Sequence, residues 1–208
     1  MRNFKAVDLV EVAYGLHLKQ ISGGPEWMGT DKFDIDGVPD LDGTPNYRQL
    51  RMMFRQLLAD RFGLAFHWEQ RELAAYVITV AKGGPKLRKS VGDPNDIGGF
   101  LFRGQGKLFA TDMSMVDFAD RMQRSVMDKP VVDQTGLEGQ YDFTLNWTPD
   151  DSQFIPMGWK INPPSADDAS APPNLYVALE EQLGLKMEAV KTTVRVMVID
   201  HIEQPSAN

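Results

Sequence analysis

Phe62-Gly63-Leu64 and Leu183-Gly184-Leu185 open two stretches of the chain that align without a gap. The alignment runs on to place Tyr76-Val77-Ile78 over Met197-Val198-Ile199. Earlier in each half, Val7-Asp8-Leu9 matches Val116-Asp117-Phe118, and Phe33-Asp34-Ile35 matches Tyr141-Asp142-Phe143. A repeat of this length is a structural statement first, because each copy must be one supersecondary unit. The expectation is therefore an α+β chain made by tandem duplication of a helix-strand-helix-strand-strand unit. Its sheets are expected to be mainly antiparallel, with helices packed on one face. The linear division places the first unit at 1–90 and the second at 91–208.

Periodicity and turn chemistry fill in the elements. Residues 6–16 carry Val10, Ala13, Tyr14 and His17 on one helical stripe. Residues 32–36 alternate like a short strand. Asn46 with Gln49 makes a capping pair, and Leu50, Met53, Phe54, Leu57 and Leu58 follow as a helical face that Gly63 ends. Strands are expected at 64–69 and 73–81, joined by a polar turn. In the second half, 99–103 and 107–111 read as a hairpin about Gly104-Gln105-Gly106. Ser114 and Asp117 cap a helix, 140–147 is a strand, 174–183 a helix, and 185–190 and 194–202 are two further strands. The stretch 148–173, rich in Pro, Asp and Ser, is expected to be a mobile loop. Within it lies an apolar cluster of Phe154, Ile155, Pro156, Met157 and Trp159, suited to docking. The second copy has the hairpin before its first helix, whereas only Met1-Arg2-Asn3 stand in that place in the first. The first copy is thus expected to lack its leading strands and to leave a sheet edge open to a second copy of the chain or a peptide.

Composition narrows the partners. The net charge is −7 and no basic block stands out. That argues against nucleic acid, whose binding is driven by phosphate neutralisation. Apolar runs are too short to insert in a membrane. With no cysteine there is no disulfide, thiolate zinc site or Cys nucleophile. The three histidines, His17, His67 and His201, show no metal-binding spacing. No metal and no cofactor are expected.

Nothing in the sequence matches a catalytic motif. The Gly24–Gly29 stretch has two glycines at phosphate-loop spacing, but Thr30-Asp31 stand where Lys and Ser/Thr are required. There is no nucleophile elbow. The catalytic candidates are Asp34 and Asp142, which both copies keep between large apolar residues, and His67 with its counterpart Glu188. The plain alternative for the two aspartates is a turn or cap hydrogen bond that the repeat needs to fold. Trp27, Trp68, Trp147 and Trp159 are candidates for a ligand or partner platform, against the commoner role of tryptophan in cores.

Several segments together carry a family resemblance: Ile21–Trp27, Leu57–Glu69, Tyr76–Leu87, Pro130–Asp150 and Val198–Pro205. Over essentially its whole length the chain resembles a family of unknown function expanded in soil bacteria. Its members are typically exported, and some are fused to BlaR-type membrane metallopeptidase sensors. The resemblance implies a periplasmic or secreted protein, although this chain shows no signal peptide at its start. It implies no catalytic residues. The resulting expectation is an extracytoplasmic binding module, sensory or associated with the cell envelope. The alternative is a hydrolase acting on a carbohydrate or ester through acidic residues in a groove between the two units.

Overall fold

The computed structural model describes residues 2–38, 45–93, 98–161 and 171–205. In chain order the first elements are β1 (Phe4–Lys5), α1 (Ala6–Tyr14), β2 (Ile21–Gly23), α2 (Trp27–Thr30), β3 (Lys32–Phe33) and α3 (Tyr47–Phe62). Next come β4 (Ala65–Val80), β5 (Arg88–Lys89), β6 (Gly99–Phe102), β7 (Lys107–Met113) and α4 (Met115–Ser125). The last are β8 (Val131–Asp133), β9 (Tyr141–Asn146), α5 (Leu175–Ala178) and β10 (Leu185–His201). The chain is α+β, with antiparallel pairing in its smaller sheets.

Two compact units emerge, and they do not follow the linear halves 1–90 and 91–208. The first comprises Met1–Leu73 with Thr192–Asn208, and the second Ala74–Lys191. The boundary falls inside β4 and inside β10, so each long strand gives one part to each unit. The polar turn expected near residue 71 is not a turn, and the two strands expected over 185–190 and 194–202 are one: β4 and β10 are continuous. Gln70-Arg71-Glu72 and Lys191-Thr192-Thr193 are polar because the strand there leaves one core before it enters the next. Neither stretch contains the Gly or Pro that would break it.

In the first unit β2 pairs in parallel with β10, Ile21 opposite Met197 and Gly23 opposite Ile199. Helices α1 and α3 pack on each other, and their inward faces join Met197, Ile199 and Ile202 in one core. Ala6, Leu9, Val10, Ala13, Phe54, Leu58 and Phe62 are its buried centre. The Asn46 side chain accepts from the Gln49 N–H and starts α3 as expected. Gly63, at φ 56°, ends it with a left-handed turn that favours glycine. A leading strand, expected to be missing here, is present: β1 pairs with β3 over two residues, Phe4 opposite Phe33 and Lys5 opposite Lys32.

In the second unit β8 pairs in parallel with β4, Tyr76 opposite Val131 and Ile78 opposite Asp133. The order β5-β9-β7-β6 makes a separate four-stranded antiparallel sheet. The hairpin of β6 and β7 forms where the Gly104 and Gly106 turn signals place it. The Ser114 hydroxyl accepts from the Asp117 N–H and caps α4. The helix expected over 174–183 is α for one turn and then widens into a π turn over Leu179–Leu183 before Gly184. Leu108, Phe118, Met122, Leu145, Leu175 and Leu179 are fully buried together.

Candidate functional site

A concave feature of the first unit runs along α3. The helix turns Phe54, Leu58 and Phe62 into the core. The stripe beside them is left over: Met52, Met53, Gln56 and Leu57, with Gln49, Asp60 and Arg61, line a groove of about 540 Å³. Val38 borders it from the segment after β3. Met52 is 52% exposed and Val38 94%. Leu57, expected in the core, is a groove residue. Apolar side chains that stay open to solvent in a groove are the usual mark of a recognition surface. Methionines suit one, because their unbranched thioethers adapt to the shape that enters. A smaller hollow of about 290 Å³ lies at the edge strand β2, between Asp8 and Glu11 of α1 and Met28 of α2.

At the place in the second unit that the sequence alignment matches to it, β9 packs against the Leu179–Leu183 turn. There Asn146, at the end of β9, exchanges two hydrogen bonds with the Gln182 side chain, at 2.9 and 2.7 Å. In the alignment of the two halves, Asn146 matches Val38 and Gln182 matches Arg61, and both of those residues line the open groove. The segment 148–161, expected to be mobile, is docked on this unit. Phe154 is fully buried, stacks on Trp147 at 5.9 Å and on Trp159 at 5.2 Å, and holds a left-handed φ of 59°. The Trp147 indole N–H donates to Gln153 Oε1 at 2.7 Å. Residues 162–170 of that expected loop lie outside the described residues.

Asp34 and Asp142 do the same thing in their separate units. Asp34 accepts the backbone N–H of Asn3 at 3.0 Å, and Asp142 accepts that of Asp112 at 3.0 Å. Both donors sit at left-handed φ, 58° for Asn3 and 48° for Asp112. Each carboxylate thus clamps an irregular residue of the leading strand. The backbone donor is the main cause that pulls each pKa below the ordinary carboxylate value, helped by Arg2 at Asp34 and by Ser90 and Arg88 at Asp142. A general acid needs the opposite shift.

His67 stands in β4 of the first unit, with Asp200 at 2.8 Å and Glu69 at 3.3 Å. These bonds, Asp200 first, raise its pKa above the ordinary 6.5. The row continues from Glu69 to Arg71 at 2.7 Å and from Arg71 to Ser22 at 3.1 Å. The His67 side chain is 52% exposed, so this row is a solvated face of the sheet. Glu188 belongs to the second unit, in a surface ion pair with Lys186. The four tryptophans form no common platform. Trp27 packs on Phe33 and Phe62, and Trp147 is core of the second unit. Trp159 covers Phe154, and Trp68 carries the Arg195 guanidinium 3.9 Å above its ring.

One polar cluster escaped the sequence reading. The Tyr76 hydroxyl donates to Asp128 at 3.1 Å and accepts from Lys129 at 3.3 Å, and Lys129 pairs with Asp128 at 2.8 Å. Tyr176 adjoins Tyr76, and burial pushes both phenols upward, Tyr176 strongly. Only the parallel pairing of β4 with β8 brings these residues together, and no local motif announces it. Among the described residues no group of His, Asp and Glu could hold a metal ion, and no helix is long and apolar enough to cross a membrane.

A family model described as protein of unknown function (DUF3738) matches residues 7–202. No curated protein and no solved structure matches the chain.

Proposed function

The chain belongs to this family of proteins of unknown function, and on that premise we propose that it is an extracytoplasmic binding module, sensory or envelope-associated, built from two copies of one α+β unit. The groove along α3 carries the reading: Met52, Met53, Leu57 and Val38 form an apolar hollow in the first unit, whereas at the sequence-matched place in the second Asn146 is hydrogen-bonded to Gln182. Surfaces of this kind take apolar side chains of a protein partner.

The second reading, a carbohydrate or ester hydrolase, is favoured by His67 between Asp200 and Glu69. It is the weaker one. His67 lies on an open strand face, and Asp34 and Asp142 are held ionised by backbone donors when hydrolysis of a glycoside needs one protonated carboxyl.

Two measurements separate the readings. Anilinonaphthalene sulfonate, a dye that brightens in apolar hollows, should bind the native protein saturably, and Met52→Glu should weaken that binding. Chromogenic glycosides and esters should not be turned over. Turnover that His67→Gln abolishes would replace the binding reading with the hydrolytic one, and dye binding indifferent to Met52→Glu would remove the groove from it.

A further inference from the structure

The polar cluster around Tyr76 belongs to the second unit alone. The two parallel ladders fix the comparison, since Val131 stands opposite Tyr76 as Ile21 stands opposite Met197. Counted back along each copy, Asp128 matches Leu18, and Tyr176, ahead of Leu183, matches Arg55, ahead of Phe62. The first unit closes its core around Met197, so the repeat does not need a phenol at that place. In the second unit two phenols meet there. Their ring centroids are 6.4 Å apart and their planes are tilted by 43°. The Tyr176 hydroxyl donates toward that of Tyr76, and the Tyr76 hydroxyl donates to Asp128 Oδ1 at 3.1 Å. Tyr76 is 4% exposed, whereas Tyr176, on the single turn of α5, is 37% exposed. Other tyrosines stand differently: Tyr14 packs on Phe66 and Trp68, and the Tyr141 hydroxyl donates to the Glu138 carbonyl.

We propose that Tyr76 and Tyr176 are an oxidative cross-linking site, whose rings a one-electron oxidant of the peroxidase and peroxide class joins by a carbon–carbon bond. The inference does not use the groove along α3. Each phenol gives up one electron to the oxidant and one proton from its hydroxyl. The Tyr76 proton passes along its hydrogen bond to the Asp128 carboxylate and on to water, and that of Tyr176 leaves to water directly. The unpaired electron of a phenoxyl radical is shared between the oxygen and the ring carbons beside it. With the hydroxyl ends turned to each other, those ortho carbons are the ones a swing of the half-exposed Tyr176 side chain brings together. The new bond forms between them, and each bonded carbon then releases its hydrogen while its oxygen regains one. Two phenols become one biphenol with the loss of two electrons and two protons, and one peroxide accepts both and becomes two waters. The chain holds no cysteine, so a covalent tie between α5 and β4 cannot be a disulfide. This one closes a loop of about a hundred residues and restrains the unfolded chain as a disulfide of that span does.

The test treats the full chain, kept dilute, with hydrogen peroxide and a haem peroxidase. Three signals are expected: the blue fluorescence of a biphenol, the loss of two hydrogens from the intact mass, and a digest in which the peptides holding Tyr76 and Tyr176 are joined. Tyr176→Phe keeps the ring at a half-exposed position, so it should fold and lose all three. Tyr47→Phe should keep them. The joined protein should melt at a higher temperature than the untreated one. Cross-links that persist in Tyr176→Phe, or that form only between chains, overturn the inference. So does the absence of a biphenol under conditions that couple free tyrosine. An equal yield of the same link from protein unfolded in urea also overturns it, because the folded geometry would then direct nothing. A joined protein that melts no higher overturns the link as a staple.

Discussion

Leu58 and Leu179 hold matched places in the two units, each on the last helical segment before a long strand, and each is wholly buried. One residue earlier the units part. Leu57 lines the open groove, whereas Ala178 is fully buried. The second unit covers this side of its helix with β9, which β7 and β5 hold in place. The first unit has a two-residue ladder there. Like cores with unlike coverings show how a surface can be opened without altering what holds the fold.

The comparison can be broken most forcefully at the cores. Leu58→Ala and Leu179→Ala should each cost about 2–5 kcal/mol, measured by denaturant unfolding, because both leave a cavity in a closed interior. Leu57→Ala should cost less than about 1.5 kcal/mol, since much of the vacated space is already open to solvent. Equal losses at 57 and 58 would mean that the groove is part of a closed core. Next come the clamps. Asp142→Asn, in a pocket of donors with 17% of its side chain exposed, should cost about 1 kcal/mol. Asp34→Asn, on a carboxylate that is 57% exposed, should cost less.

Acid sharpens the same pair. Both carboxyls titrate below their ordinary 3.8 when folded. Their contribution is complete above that value and is lost as the pH falls through the lower folded one. The wild-type protein should therefore lose stability below about pH 4 more steeply than Asp142→Asn does, and a parallel acid limb in the variant would count against the clamp. The smallest effect belongs to His67. Its folded pKa lies above 6.5, so its contribution is full below 6.5 and fades as the pH rises through the raised value. Asp200→Asn should move the His67 ring titration, followed by NMR, back toward 6.5. An unmoved titration would remove Asp200 as the cause.

Local signals were legible in the sequence and long-range ones were not. The Asn46 and Ser114 caps, the Gly104–Gly106 hairpin and the Gly63 helix end all lie within a few residues of their partners, and all are found. β4 and β10 read as broken because their middles are polar, and what unites them is pairing with residues far away. The π turn at Leu179–Leu183 leaves no compositional trace. At the site, Asp34 and Asp142 do accept backbone hydrogen bonds, but from Asn3 and Asp112, far away in sequence, and not in the turn or cap that the plain reading expected. The Tyr76–Lys129–Asp128 cluster was not foreseeable, because it joins β4 to the turn before β8. The groove was not legible, because Met53 and Leu57, which line it, share the stripe that reads as the core face of the helix.

The sharing of β10 also sets a timetable. Met197, Ile199 and Ile202 belong to the first unit's core but are synthesised only after the whole of the second unit. Until they arrive, α1 and α3 have no strand from the chain's end to close against, and β2 lacks its parallel partner. The first unit is thus begun before the second and finished after it, and through synthesis its apolar helix faces are in the care of whatever holds unfolded chains in the cell. A second unit that ends at Lys191 meets no such delay, so the unit whose helices come first in the chain is the one that waits.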